Sequence, residues 1–178
     1  PESEDKELMR EDIKQMSEII NEYLNFARSD EREKSNDFSL SSLMRGLISE
    51  TQKTHSVSIR LESRRGIRFY GRRLAIKRCL MNVLENAASF ATNIKVSIQK
   101  LEDQILITIE DNGPGIPADK REEALRPFVR IETSRNRKTG GSGLGLAITA
   151  DVVSLHGGEI TLEDADLGGL KVEISLPI

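Results

Sequence analysis

The sequence predicts an α/β (α+β) two-layer sandwich with helices over one face of a mixed sheet, preceded by a long N-terminal coiled-coil-like helix. Three observations lead there. Stretches with apolar residues at every second position are interleaved with stretches of helical spacing, without a strict strand–helix–strand alternation. An apolar fraction of 37% over 178 residues suffices for one packed core. The first 35 residues carry six Lys/Arg against eleven Asp/Glu together with a heptad-spaced apolar seam.

That seam runs Met9, Ile13, Met16, Ile20, Tyr23, Ala27, widened by Leu8, Ile19, Leu24 and Phe26, and no Pro or Gly interrupts Glu2 to Asn36. An apolar seam on a helix needs a partner, so half of a coiled coil or bundle is favoured over a helix folded back on its own domain. The polar stretch Ser29–Asp37 marks a boundary, giving a helical segment 1–34 and a globular domain 35–178. In the globular part Ser39–Thr54 reads as a helix N-capped by Ser39, and Val57, Ile59 and Leu61 as a strand. Arg72–Ala91 reads as a helix burying Leu74, Ile76, Leu80, Val83, Leu84 and Ala87. Ile94, Val96, Ile98 and then Ile105, Ile107, Ile109 alternate as two strands about a turn at Leu101–Gln104. Gly143–Leu155 is helical, and Glu159–Glu163 with Leu170–Leu176 form a closing strand pair.

Composition narrows the chemistry. A net charge of −3 supplies no general attraction to nucleic acid or to an anionic membrane. No apolar run approaches the ~20 residues of a membrane span. A single cysteine, Cys79, rules out an internal disulfide framework, and two isolated histidines, His55 and His156, cannot build a Cys/His metal cage. A metal would have to be held by oxygen ligands.

Three motifs carry the chemistry. Asp111-Asn112-Gly113-Pro114-Gly115 follows the strand ending at Glu110: its glycines let backbone approach a flat ligand, and Asp111 can accept from an exocyclic amino group. Alone, it is as well read as an ordinary Gly/Pro turn. Gly140-Gly141-Ser142-Gly143-Leu144-Gly145 opens a helix whose unpaired N–H groups attract phosphate. It lacks the Gly-Lys-Ser/Thr of a P-loop, and alone it could be a flexible linker. Asn82 and Asn86, four apart, share one face of a helix otherwise built for burial. A carboxamide oxygen suits Mg²⁺, though a pair of satisfied buried amides would read the same way.

Together and in this order, Asn-x-x-x-Asn-Ala, Asp-x-Gly-x-Gly and Gly-x-Gly-Leu-Gly-Leu resemble the ATP-binding domain shared by sensor histidine kinases, type II topoisomerases, Hsp90 and MutL. Arg126-Pro127-Phe128-Val129-Arg130 is similar to the histidine-kinase F box, in wording closest to osmosensor kinases, and the acidic heptad helix is similar to the second helix of their dimerisation hairpin. The resemblance implies a Bergerat-type ATP-binding fold with ATP and Mg²⁺ as cofactors. It implies Asn86 as the Mg²⁺ ligand, Asn82 near the γ-phosphate, and Asn82, Glu85 and Asn86 as the catalytic group. Asp111, Gly113 and Gly115 would shape the purine pocket. Phe128, Arg130, Gly141, Gly143, Leu144 and Gly145 would line the nucleotide on the phosphate and lid side. A lid would run from about Lys120 to Ser142, and its part Arg126–Lys138 holds five basic residues against one acid.

The hydrolysing members carry a glutamate where this chain has Asn82. An amide cannot take a proton from water, and Glu85 points to a different side of the helix. The site is therefore one for phosphoryl transfer. Departures from the family pattern are Ser89 and Phe90, where Lys or Arg and then Tyr or His are usual, and Gly71 at a helix start that often has Asp. Neither His55 nor His156 is followed by an acid, so neither is a phosphoacceptor; His156, before Gly157-Gly158, caps a helix C-terminus.

The expectation is the ATP-binding kinase domain of a sensor histidine kinase, phosphorylating a hairpin histidine located before Pro1 for relay to a response-regulator aspartate. Its partners would be a receiver domain, the other hairpin helix and a second copy of the full-length protein, with no nucleic acid and with the membrane reached only through other segments. The location would be cytoplasmic, beneath a bacterial inner-membrane receptor, and residues 1–178 alone would not self-phosphorylate. The rivals are a degenerate non-catalytic partner-docking module and a protein-serine kinase or anti-sigma factor of the same superfamily. The basic stretch Arg60–Arg78, eight cations with Glu62 the one acid, is either a docking face or a solvated surface.

Overall fold

Sheet register, read from the paired strands, explains why one face is apolar and the other charged. The computed structural model describes residues 33–131 and 143–178. The heptad seam from Met9 to Ala27 lies outside them, as do Gly141 and the basic residues Arg135, Arg137 and Lys138. In chain order the elements are β1 (Asn36–Ser39), α1 (Leu40–Thr54), β2 (Ser58–Ser63), β3 (Arg68–Gly71), α2 (Arg73–Phe90), β4 (Asn93–Lys100) and β5 (Gln104–Asp111). A 3-10 turn (Ala118–Lys120) and the short α3 (Arg121–Ala124) follow, then α4 (Gly145–Leu155), β6 (Glu159–Asp164) and β7 (Leu170–Pro177).

Five strands form one mixed sheet in the order β2-β4-β5-β7-β6, with β2 and β4 parallel and the other pairs antiparallel. Leu61, Val96, Ile109, Val172 and Leu162 lie side by side across all five strands, and Ile98, Ile107, Ile174 and Ile160 form the next row on the same face. The central members of these rows are buried beneath α1, α2 and α4. Each contributes ~1.5–3 kcal/mol relative to exposure. On the opposite face the register aligns Arg60, Lys95, Glu110, Lys171 and Glu163. There Lys171 Nζ sits 2.9 Å from Glu163 and Lys95 Nζ 3.8 Å from Glu110, pairs that mainly keep the open face soluble.

Among the described residues the expected helices and strands are present, with Ser39 Oγ accepting the Ser42 N–H at 3.2 Å as the cap of α1. Three differences have physical causes. Leu74, expected in the core, is 54% exposed. At 100° per residue it lies about 160° around the helix from Ile76, on the side facing away from the sheet. The helix expected from Gly143 starts at Gly145, because Gly143 adopts φ +71° and cannot be helical. A two-stranded ribbon, β1 against β3, was not expected. Four-residue strands offer too little alternation to read, and it is held by an edge-on Phe38–Phe69 contact at 6.0 Å.

Candidate nucleotide site

The purine motif is anchored at the end of the central strand β5. Asp111 is 6% exposed, and its Oδ1 accepts the N–H of Gly113 at 2.7 Å and of Leu170 at 3.2 Å. Its other oxygen, Oδ2, takes no hydrogen bond among the described residues. Burial pushes the carboxyl above its ordinary range, and the two backbone donors partly oppose that. Asn112 fixes the turn from the other side: its Oδ1 accepts the N–H groups of Thr92 at 3.0 Å and Asn93 at 2.9 Å.

Two glycines let these chains meet. A Cβ on Gly169 would lie 2.3 Å from Asp111 Oδ1 and 2.5 Å from the Gly113 nitrogen. Gly115, at φ +68°, faces the backbone of Gly169. The sequence reading missed Gly169, Leu170 and Asn112. Their cue was a Gly168-Gly169 turn between two strands, which by itself says only hairpin.

The phosphate motif meets α2 at its middle. Asn82 Nδ2 donates to the Gly145 carbonyl at 3.3 Å, and Thr149 Oγ1 donates to the same oxygen at 2.8 Å. Thr149, fully buried, is another residue the sequence did not single out. Leu144 is buried at the start of α4, and a Cβ on Gly145 would sit in ordinary contact with Asn82, 3.7 Å from its Cβ. Gly143 is clasped by the F box: the Phe128 N–H donates to Gly143 O at 3.0 Å. A Cβ on Gly143 would come within 2.9 Å of Val129 O. Phe128 itself has φ +66°, a left-handed conformation costing a non-glycine residue ~1–3 kcal/mol, and its ring is 62% exposed. Arg130 is exposed nearby in sequence.

Along α2 these contacts are ordered. Asn82 touches the start of α4, while the carbonyl of Phe90, two turns on, lies 3.1 Å from where a Gly113 Cβ would stand. Asn86 falls halfway, half-buried, with no hydrogen bond among the described residues. At 1.5 Å per residue it is ~6 Å along the axis from each motif. Glu85 is exposed on another side, and the Ser89 hydroxyl is turned back onto the Glu85 carbonyl at 2.8 Å.

Residues 71–178 match the family of histidine kinase-, DNA gyrase B- and HSP90-like ATPases. The chain belongs to that family. Within it, the chain is similar to sensor histidine kinase CpxA of Escherichia coli (strain K12), 41% identical over 110 residues, which are 61% of this chain and 24% of the relative. It is 30% identical to the sensor protein RstB of the same strain over 180 residues, covering 98% of this chain and 42% of RstB. The chain thus spans between a quarter and two-fifths of these curated relatives. The solved mycobacterial sensor histidine kinase MprB superposes with a TM-score of 0.72 at 24% identity, covering 81% of this chain and 97% of that one, which establishes the shared α/β fold. The ATP-binding domain of this chain is of the type found in sensor histidine kinases.

The donor set fits a Mg-nucleotide. A buried carboxylate with one oxygen uncommitted, an unbonded amide oxygen, and glycine-lined backbone at a helix N-terminus are what an aminopurine, a hard cation and phosphates require. Among the described residues no cluster of three His, Cys, Asp or Glu side chains could hold a metal.

Proposed function

We propose that residues 35–178 bind Mg-ATP beside the C-terminal half of α2, between the Gly113 turn and the N-terminus of α4, and hold its γ-phosphoryl group for transfer to a histidine on a dimerisation hairpin. Residues 1–34 supply the second helix of that hairpin. The observation carrying this reading is the position of Asn86 on α2, midway between the Gly113 turn and the Gly145 helix start. Asp111 Oδ2 accepts from the adenine amino group while Oδ1 stays bound to two backbone amides, so the carboxylate is oriented before the base arrives. The first-turn amides of α4 receive the phosphates. Asn86 is the Mg²⁺ ligand, and the ion supplies charge neutralisation of the phosphates when bound.

Asn82 is engaged with Gly145 O and is an amide, so it cannot act as a base toward water. The attacking imidazole nitrogen forms the new N–P bond as the bond from the γ-phosphorus to the bridging oxygen breaks, leaving ADP. The phosphoryl group then passes to a receiver-domain aspartate. A cytoplasmic position in a membrane receptor fits this role, and none of the described helices is long and apolar enough to cross a membrane.

Calorimetric titration with Mg-ATP tests the site. Asp111→Asn and Asn86→Ala should each weaken binding about tenfold to a hundredfold. Equal affinity in all three proteins would overturn it.

A further inference from the structure

The helices α2 and α4 run antiparallel, and their contact is largely apolar, with Ile76, Cys79, Leu80 and Val83 on one and Ile148 and Val152 on the other, all buried. A side-chain hydrogen bond from Thr149 Oγ1 to the Cys79 carbonyl at 3.4 Å crosses its middle. Such surfaces interdigitate, and directional hydrogen bonds at their ends fix the pairing further. One end of the pair is tied by Asn82 to Gly145 O. The other end is tied by His156, which follows the last turn of α4.

There the backbone N–H of Arg72 donates to His156 Nε2 at 3.1 Å, so the ring proton is on Nδ1, which donates to Val152 O at 2.7 Å. Both ring nitrogens are thus used on backbone groups, one from each helix end. Phe69 braces the ring at a centroid distance of 5.8 Å. Arg72 is the N-cap residue of α2, yet no side-chain cap hydrogen bond is made there and no acid occupies the first turn. The imidazole thus holds the N-cap backbone of the helix that carries Asn82 and Asn86.

Gly71 accounts for the access. A Cβ on it would lie 2.9 Å from His156 Cδ2 and 2.5 Å from Phe69 Cε1, so only glycine lets the ring reach the Arg72 amide.

We propose that His156 is a positioning residue of the nucleotide site: by accepting the Arg72 N–H it sets the register of α2 against α4, and with it the place of Asn86 relative to the phosphate-binding amides. This rests on the Mg-ATP reading above. The role belongs to the acceptor at Nε2, so an amide side chain retains it and an isosteric alkyl group does not.

The test compares the full chain with His156→Gln and His156→Leu, titrating ATP with and without Mg²⁺ and checking folding by thermal melts. The Leu variant should lose about tenfold in Mg-ATP affinity but only about twofold without Mg²⁺, because the amide that holds the ion is displaced, and Gln should recover most of the loss. Gly71→Ala, which crowds the ring, should show the same selective loss and serves if the Leu variant does not fold. Wild-type affinity in a folded Leu variant, an equal loss with and without Mg²⁺, or no recovery with Gln would overturn the positioning role while leaving the nucleotide site standing. Failure of the wild type to bind ATP would overturn both.

Discussion

The amide nitrogen of Asn82 donates to the carbonyl oxygen of Gly145 at 3.3 Å, joining the middle of α2 to the first residue of α4. Residues 63 apart in sequence are brought together where two of the three nucleotide motifs meet. The bond commits the amide NH₂ to scaffolding and leaves Asn86, one turn along, as the side chain available to a ligand.

Asn82→Leu should therefore act on structure as well as binding. Loss of the bond leaves one of two donors on Gly145 O, since Thr149 still reaches it. A destabilisation of about 1 kcal/mol in chemical denaturation is expected, with weaker ATP binding. Unchanged stability would show that the bond contributes nothing net.

Gly169→Ala tests a residue outside the three motifs. Its methyl would meet Asp111 Oδ1 and the Gly113 nitrogen well inside contact distance, so the β6–β7 turn or the purine motif must move. A loss of about 1–3 kcal/mol in stability is expected, accompanied by lower ATP affinity. Gly168→Ala meets no atom within 4 Å but has φ +96°, so it should destabilise through backbone strain while leaving affinity near wild type. Equal affinity losses in the two variants would contradict the geometric reading.

Asp111 should give binding an acid limb displaced from that of an ordinary carboxylate. Burial raises its carboxyl above the usual 3.8. The folded state then binds the proton more readily than the unfolded chain. This group's cost to stability is fully present above the raised value and is relieved as pH falls through the window down to 3.8. Ligand binding has the opposite sign, because the adenine amino group needs an ionised acceptor. ATP affinity should fall on acidification at a higher pH than a solvent-exposed carboxylate would produce, and Asp111→Asn should remove that limb. A wild-type profile identical to that of the Asn variant would count against Asp111 as the adenine acceptor.

His156 should never carry a phosphoryl group, since Nδ1 and Nε2 are both engaged with backbone. Incubation with γ-labelled ATP should leave His55 and His156 unlabelled, and a supplied two-helix hairpin with its own histidine should take acid-labile label in trans. Label on His156 would overturn this assignment, and efficient serine labelling would favour the serine-kinase rival.

Local spacing by itself determined most of the scaffold and the identity of the motifs. The alternating isoleucines of β4 and β5, the Ser39 cap, and the ordered Asn, Asp-Gly and Gly-Leu-Gly signatures depend on near neighbours, and sequence records near neighbours directly. Leu74 shows the limit: its type is apolar, but its angle on α2 turns it to solvent, and that angle matters only once the direction of the sheet is known. Only tertiary structure decided that Leu170 would lend its N–H to Asp111, that Asn82 would meet Gly145, and that Gly71 would make room for His156. Each joins residues 59 or more positions apart, the first two through backbone groups that every residue type carries alike and the third through a missing Cβ whose neighbour lies far along the chain, so no local side-chain pattern could announce them.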